Sequence, residues 1–189
     1  MNGQRPPETL EGKRARLEPA ASIDPLELLD LDWARSLHPA MGGWMTRPPR
    51  PGPGMMGIRD QRDGAVIGVL DAVEMTGYPG VVSVSVYADP ARRRAGTALE
   101  AYALFVTWLF EHGARLIHHE VLELNHPIQR ILRGIGVPPS ARFRHHAYAA
   151  GQFWDVLVYS FDAACWDRVT TSVVPRAPGA KPPALPPSR

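Results

Sequence analysis

Residues 81–99, VVSVSVYADPARRRAGTAL, decide the fold that we predict for this chain. An apolar, β-branched run ends at Ala-Asp-Pro, passes three arginines and meets Gly-Thr-Ala at the start of a strongly apolar segment. A strand, a basic turn and a helix in this order place several unpaired backbone N–H groups at the helix N-terminus. Those donors, the positive end of the helix dipole and the charges of Arg92, Arg93 and Arg94 suit a pyrophosphate. The stretch therefore predicts a phosphate-bearing ligand.

Composition and charge exclude several classes of function. Hydrophobic residues make up 44% of the 189 residues and charged residues 21%, which predicts one soluble globular domain. The formal net charge of +2 is too small to predict nucleic-acid binding, and no apolar run is long enough to cross a membrane. The N-terminus carries no apolar leader, so we expect a cytoplasmic protein without nucleic-acid or membrane partners. The one cysteine, Cys165, excludes an intrachain disulfide and is expected to pack as a small hydrophobe.

The segments after the arginine turn alternate between helix and strand. Residues 96–112 are apolar almost all round, which predicts a helix that is buried against a sheet and ends at Gly113. We expect a strand at residues 114–122, a short helix at 127–135 capped by Asn125, and a last strand at 153–161.

The segments before the turn predict a meander of strands. The expected elements are an edge strand at residues 12–19, a helix at 24–37 with Asp24 as N-cap, a loop at 47–54, and strands at 56–59 and 65–75. The whole order predicts a single α/β (α+β) domain with a mixed sheet, in which residues 81–122 form a right-handed parallel βαβ unit. We place this domain at residues 9–172, between an N-terminal extension (1–8) and a Pro-rich disordered tail (173–189).

Several of these pieces resemble the GCN5-related N-acetyltransferase superfamily, and within it the ribosomal-protein alanine N-acetyltransferase branch. The superfamily's cofactor signature is Arg or Gln, two residues, Gly, one residue, then Gly or Ala, and residues 93–98, RRAGTA, meet it. The helix start ALEA is similar to the branch's Ala-Thr-Glu-Ala. The opening TLEGKRARLEP and the closing RFRHHAYAAGQFWDVLVYSFDAACW resemble the branch's first strand and its last strand with a terminal Trp. The resemblance covers about residues 9–168.

The resemblance implies that acetyl-CoA binds where a twisted mixed sheet, flanked by helices, splays open beside the strand at 81–88. Its pantetheine arm would pair with the backbone of Val86, Tyr87 and Ala88. The pyrophosphate would bind at the turn, on the residues Arg93, Arg94, Ala95, Gly96, Thr97 and Ala98. Gly96 suits this place because the backbone must approach the phosphate with no Cβ in between. Asn125 stands where the family has an Asn after its fifth strand, and it would bond the pantetheine or the acceptor unless it only caps a helix.

The chemistry implied by the resemblance is attack of a neutral amine on the thioester carbonyl, with a backbone N–H near Val86 polarising the oxygen. Glu120 and His119 are candidates for the general base, and alternation along a strand lets at most one of them face the site. Many family members carry a proton-donating Tyr where this chain has Leu132. Tyr148 and His126 are substitutes by residue type only. No metal is expected, because the pairs at 118–119 and 145–146 lack a third ligand.

We therefore expect an N-acetyltransferase that transfers the acetyl group of acetyl-CoA to a primary amine in a direct ternary complex. The amine acceptor would be a small molecule or a protein N-terminus. A homodimer is compatible with the resemblance, because dimers are common in the superfamily. Trp33, Trp44 and the loop at 47–54 lie where the superfamily shapes its acceptor pocket. Two alternatives stay open: a non-catalytic acyl-CoA-binding module of the same fold, and an acyltransferase that uses another CoA thioester.

Overall fold

The computed structural model describes residues 9–31, 54–92, 96–134, 136–149 and 151–173. Within these residues, eight strands form one open mixed sheet in the order β1-β2-β3-β4-β5-β6-β8-β7, flanked by four α-helices. The strands are β1 (Leu10–Glu11), β2 (Ala15–Pro19), β3 (Met56–Asp60), β4 (Val66–Glu74), β5 (Val81–Ala88), β6 (Leu116–Leu122), β7 (Ala141–Ala149) and β8 (Gln152–Asp162). The helices are α1 (Pro25–Leu29), α2 (Thr97–Glu111), α3 (His126–Gly134) and α4 (Ala163–Val173).

The predicted mixed α/β fold is confirmed, and the strand before the arginine turn has the bounds expected for it. The strand expected at residues 12–19 is present as β2, but it is not at the sheet edge, because it pairs on both sides, with β1 and β3. Three elements of the described residues were not predicted: the edge strand β1, β7 and α4. The expected loop at 47–53, both Trp33 and Trp44, and the two chain ends at 1–8 and 174–189 lie outside the described residues.

The sheet opens between β5 and β6, which are its parallel neighbours. Their pairing consists of three register positions, Val81 with Leu116, Val82 with Ile117, and Ser83 with His118. Beyond Ser83, β5 continues to Ala88 paired with β4, and beyond His118, β6 continues to Leu122 paired with β8. The splay that the resemblance implied is therefore present, with its apex at Ser83 and His118. We call the unpaired part of this junction the splay.

The sheet carries a hydrophobic cluster on each face, because successive strand residues point to opposite sides. The larger cluster lies under α2 and includes Leu17, Met56, Ile58, Leu70, Val84, Phe105, Leu109 and Ile117. The smaller cluster lies on the α1 side and consists of Ala20, Ile23, Leu28, Leu31, Met55, Val66, Val69 and Tyr87. Both faces of the sheet are therefore covered on the side of the splay that β4 and β5 form.

A single carboxylate fastens the turn between β1 and β2 to the first turn of α2. Glu100 accepts hydrogen bonds from the backbone N–H groups of Lys13 (3.0 Å), Arg14 (2.6 Å) and Ala15 (3.0 Å). An acidic side chain in the first turn of a helix also interacts favourably with the helix dipole. Glu100 therefore fixes the N-terminal strands relative to the helix that follows the arginine turn.

We expect Glu100→Ala to lower the free energy of unfolding by about 1–2 kcal/mol, because three backbone N–H groups lose their acceptor. Urea denaturation followed by circular dichroism would measure the change. Glu111→Ala, at the exposed end of the same helix, is the control and should change stability by less than about 0.5 kcal/mol. Equal losses in the two variants would show that the three hydrogen bonds contribute nothing.

Candidate functional site

The edge of β5 that faces the splay is made of main-chain groups. The N–H of Asp89 donates to the carbonyl of Ile67 at 2.8 Å, so the backbone of Asp89 points toward β4. Because these groups alternate in direction along a strand, Tyr87 and Ser85 also point toward β4, whereas Ala88 and Val86 point toward β6. The backbone donors and acceptors of Val86 and Ala88 therefore face the splay. Those of Tyr87, which the resemblance also assigned to the cofactor, face β4 instead, and its side chain is buried on the α1 side.

The turn after β5 is held by internal polar contacts. Asp89 is 2% exposed and accepts a hydrogen bond from the N–H of Ala91 at 2.8 Å. The Arg92 guanidinium donates to the carbonyl of Val66 at 2.9 Å and contacts the carboxylates of Asp89, at 3.6 Å, and Asp30. Arg92 therefore ties the turn to β4 and to the end of α1, so its charge is balanced by the protein's own carboxylates. The predicted site residues Arg93, Arg94 and Ala95 lie outside the described residues.

The N-terminus of α2 follows directly on this turn. Gly96 is the N-cap with φ +86°, a left-handed conformation that favours glycine. The first helical hydrogen bond runs from the N–H of Glu100 to the carbonyl of Gly96, so the N–H groups of Thr97 and Ala98 precede it. The Thr97 side chain is buried, and its hydroxyl lies 3.4 Å from Oδ2 of Asp60. These features fit an anion-binding helix start.

The side chain of Arg14 lies across the same helix start, a position that the sequence did not predict. A Cβ at Gly96 would overlap Nη1 of the Arg14 guanidinium, so the arginine occupies the space that a side chain would fill. A cation at the positive end of a helix is unfavourable unless an anion lies nearby. The basic sequence Gly-Lys-Arg at 12–14 was visible, but nothing local connects it to a helix more than eighty positions later.

The two faces of β6 carry groups with different chemistry. His119 is 4% exposed on the α2 face, where its Nε2 is hydrogen-bonded to the hydroxyl of Tyr102 at 2.9 Å. Burial, together with the neighbouring charge of His118, lowers the pKa of His119 to about 4, and burial raises the pKa of Tyr102. Glu120 lies on the opposite face with its side chain 57% exposed, and its Oε1 is 3.8 Å from Nε2 of His118. The expected alternation is present, and Glu120 is the candidate that is open to solvent.

The other predicted residues are spread over α3 and the β7–β8 hairpin. Asn125 caps α3, with its Oδ1 accepting from the N–H of Ile128 at 3.4 Å. Leu132 is 3% exposed and belongs to the cluster under α2, and His126 is exposed at the start of α3. Tyr148 is 58% exposed near the hairpin tip and packs edge-on against Phe153, with 5.0 Å between ring centroids. The structure records no contact of Tyr148 with Glu120.

The part of the chain that the structure describes holds no group of three His, Cys, Asp or Glu side chains that could bind a metal ion. No helix among these residues is both long and apolar enough to span a membrane. Cys165 is a half-buried free thiol that packs against the cluster under α2, as expected for a small hydrophobe.

Solved acetyltransferase structures share this fold. A GCN5-related N-acetyltransferase from Brucella melitensis is 22% identical, with a TM-score of 0.71 over 91% of this chain and 88% of its own. A GNAT-family acetyltransferase from Bacillus anthracis is 14% identical, with a TM-score of 0.65 over 82% of this chain and 98% of its own. A ribosomal-protein-alanine N-acetyltransferase from Brucella melitensis is 17% identical, with a TM-score of 0.51 over 58% of this chain and 69% of its own. No family model and no curated protein matches the sequence.

We expect the free energy of unfolding to fall as the pH drops from about 6.5 toward 4. His119 is neutral and buried in the folded protein, with a pKa of about 4, whereas an unfolded histidine titrates near 6.5. Between these values the unfolded chain binds the extra proton, so acid favours unfolding by up to roughly 3 kcal/mol.

Urea denaturation of the wild type and of His119→Gln at several pH values would measure this effect. The glutamine keeps a polar group beside Tyr102 but does not titrate, so its stability should depend less on pH. The same acid slope in both proteins would assign the loss to other groups.

Proposed function

We propose that this chain, whose fold is that of the GCN5-related N-acetyltransferases, transfers the acetyl group of acetyl-CoA to a primary amine in a direct ternary complex. The observation that carries the proposal is the early end of the β5–β6 ladder. It leaves the backbone of Val86 and Ala88 facing an open gap beside the N-terminus of α2. An extended chain that ends in a pyrophosphate matches this combination of strand edge and helix start.

The residues around the gap fit CoA at both ends. The glycine at position 96 lets the Arg14 guanidinium lie against the helix start, in the space that a Cβ would fill. The N–H groups of Thr97 and Ala98 would donate to the pyrophosphate, with Arg93, Arg94 and Ala95 contributing as the signature implies. The backbone of Val86 and Ala88 would pair with the amides of the pantetheine arm. Asn125 stays a second candidate for the pantetheine, although its Oδ1 already caps α3.

The reaction requires two bound and oriented substrates, a hydrogen-bond donor to the oxyanion and a proton acceptor. The amine nitrogen attacks the thioester carbonyl carbon, and the N–H of Val86 would stabilise the oxyanion that forms. Holding donor and acceptor together removes much of the entropic barrier. Glu120 is the proposed proton acceptor, because its carboxylate lies on β6 two residues beyond the apex of the splay and is open to an incoming amine.

The departing sulfur needs a proton donor, and the position where many family members carry a Tyr is Leu132 in this chain. Leu132 cannot donate a proton, and it is packed in the core. Tyr148 stays a candidate, because its phenol is exposed on the β7–β8 hairpin. The buried leucine is also the observation that favours the second candidate function, a non-catalytic acyl-CoA-binding module. A donor with a longer acyl chain is a third possibility that the same gap accommodates.

One experiment separates these functions. The protein is titrated with CoA by calorimetry, then incubated with acetyl-CoA, longer acyl-CoA thioesters and a panel of small primary amines and peptides with free N-termini. Release of free thiol is followed optically, and acetylated products are identified by mass spectrometry. We expect CoA binding and amine-dependent thiol release with acetyl-CoA. Binding without turnover would favour the non-catalytic module, and absence of CoA binding would refute all three candidates.

We expect Gly96→Ala to weaken CoA binding by about tenfold or more, because a Cβ at the helix start obstructs the phosphate and displaces Arg14. Calorimetry with CoA would measure the loss. Gly77→Ala is a matched control: Gly77 has φ +83°, but a Cβ there meets open space.

Both alanines carry the strain of a left-handed residue, about 1–2 kcal/mol. Both variants should therefore lose similar stability, while CoA affinity falls in Gly96→Ala alone. Unchanged CoA affinity in Gly96→Ala, with the wild type binding normally, would contradict the proposed phosphate site.

A further inference from the structure

Glu120 has an imidazole behind it on its own face of the sheet. His118 and Glu120 are two residues apart on β6, so both project from the face opposite α2. Nε2 of His118 lies 3.8 Å from Oε1 of Glu120, and Nδ1 of His118 lies 3.2 Å from the hydroxyl oxygen of Ser160 on β8. The three side chains form a line, Ser160 to His118 to Glu120, that ends where β6 has left β5.

The place of this line in the sheet follows from the register. His118 forms the last pair of the β5–β6 ladder with Ser83, and the same residue is opposite Ser160 on β8. The imidazole is therefore fixed where three strands are still paired, and its side chain is 19% exposed. Glu120 stands two residues further along, on the unpaired side of the apex. The imidazole of His118 is thus held in place by the paired strands, and it supports the solvent-exposed carboxylate of Glu120.

We propose that His118 is a positioning residue for Glu120, and that carboxylate and imidazole together act as one proton acceptor for the amine substrate. Ser160 holds the imidazole so that Nε2 faces the carboxylate. This inference rests on the proposed function, since it concerns the base of that same reaction.

The chemical reason is that a carboxylate alone is a weak base for an ammonium ion. An ordinary imidazole binds a proton roughly a hundredfold more tightly than an ordinary glutamate carboxylate. A proton taken by Glu120 and passed to His118 is therefore held more firmly, and the resulting imidazolium is paired with the carboxylate. Because general-base catalysis improves with base strength, the pair removes the proton more effectively than Glu120 by itself.

The proton balance is closed. One proton leaves the acceptor ammonium for Glu120 and passes through one bridging water to Nε2 of His118, 3.8 Å from Oε1, so that the amine becomes neutral. The N–C bond then forms at the acetyl carbonyl, the C–S bond breaks, and its electron pair leaves on the sulfur of CoA. The attacking nitrogen loses its second proton in this step, and that proton passes through solvent to the thiolate, so the products are the amide and the free thiol of CoA. After the product departs, the imidazolium gives its proton to solvent, and no oxidant or further reactant is needed.

Among the described residues, few other charged groups lie near the pair of His118 and Glu120. On this face, β5 presents Ser83 and Ser85, and β8 presents Ser160 and Val158. On the strands next to β5 and β6, two described carboxylates share the face: Asp71, which is on β4 opposite Ser85, and Asp162 on β8, whose Oδ1 accepts from the N–H of Cys165 at 2.7 Å. His119 faces the other side and stays neutral because its pKa is lowered to about 4.

The test is the pH profile of acetyl transfer in the wild type, His118→Gln and Ser160→Ala. The probes are acetyl-CoA with the best acceptor of the amine and peptide panel, and acetyl-CoA with water alone, whose slow hydrolysis needs the same base. Glutamine keeps a polar group beside Ser160 and does not titrate. At pH 7.5 we expect His118→Gln to lower kcat about tenfold and to move the acid limb of the profile to lower pH, because the imidazole no longer takes part. Ser160→Ala should lower kcat less and leave the acid limb where it is.

Each outcome decides the inference. CoA affinity, measured by calorimetry, should stay unchanged in both variants, and His112→Gln, at the far end of α2, should keep the wild-type profile. A wild-type kcat and profile in His118→Gln would overturn the inference and leave the proposed function standing. A wild type without turnover on either probe would overturn the proposed function and this inference with it. If His118→Gln does not fold, Ser160→Ala decides, and an unchanged kcat there refutes the inference.

Discussion

The structure depends on one short parallel ladder. β5 and β6 are joined at three positions and then separate, although each continues for several residues paired to its other neighbour. Backbone N–H and C=O groups that leave such a ladder need partners, because unpaired polar groups in a protein interior are costly. The fold therefore contains, in the middle of its sheet, a pair of strand edges that suits an extended ligand. The N-terminus of α2 follows β5, and the exposed carboxylate of Glu120 lies on β6 two residues beyond the point where the two strands separate.

Polar contacts across long sequence separations hold the surroundings of the gap in place. Glu100 binds the turn between β1 and β2, and Arg92 binds the turn after β5 to β4 and to the end of α1. In both contacts a charged side chain fixes the backbone of a turn. Strand pairing alone does not fix the backbone beyond the point where a ladder ends. Glu100 and Arg92 therefore attach the N-terminal hairpin and the end of α1 to the segment that joins β5 and α2.

The sequence predicted much of the fold because the decisive signals are local. Runs of apolar residues predicted β5, α2 and β8, and the capping residue Asn125 predicted the start of α3. β7 was missed because its exposed residues, Arg and His among them, do not alternate as a half-buried strand does. Arg14 and the line from Ser160 to Glu120 were also missed, since they bring together residues on different elements. Only the register of β6 against β8 places Ser160 beside His118.

The ends of the chain segment between α1 and β3 have a consequence for how the protein tolerates change. Leu31 and Met55 are both buried in the cluster on the α1 side, and the carbonyl of Met55 accepts a hydrogen bond from the N–H of Ala20 at 2.9 Å. Both ends of the intervening residues are therefore anchored at one place. A polar substitution at either anchor, Leu31 or Met55, would weaken the same cluster, so these two positions are expected to tolerate change poorly.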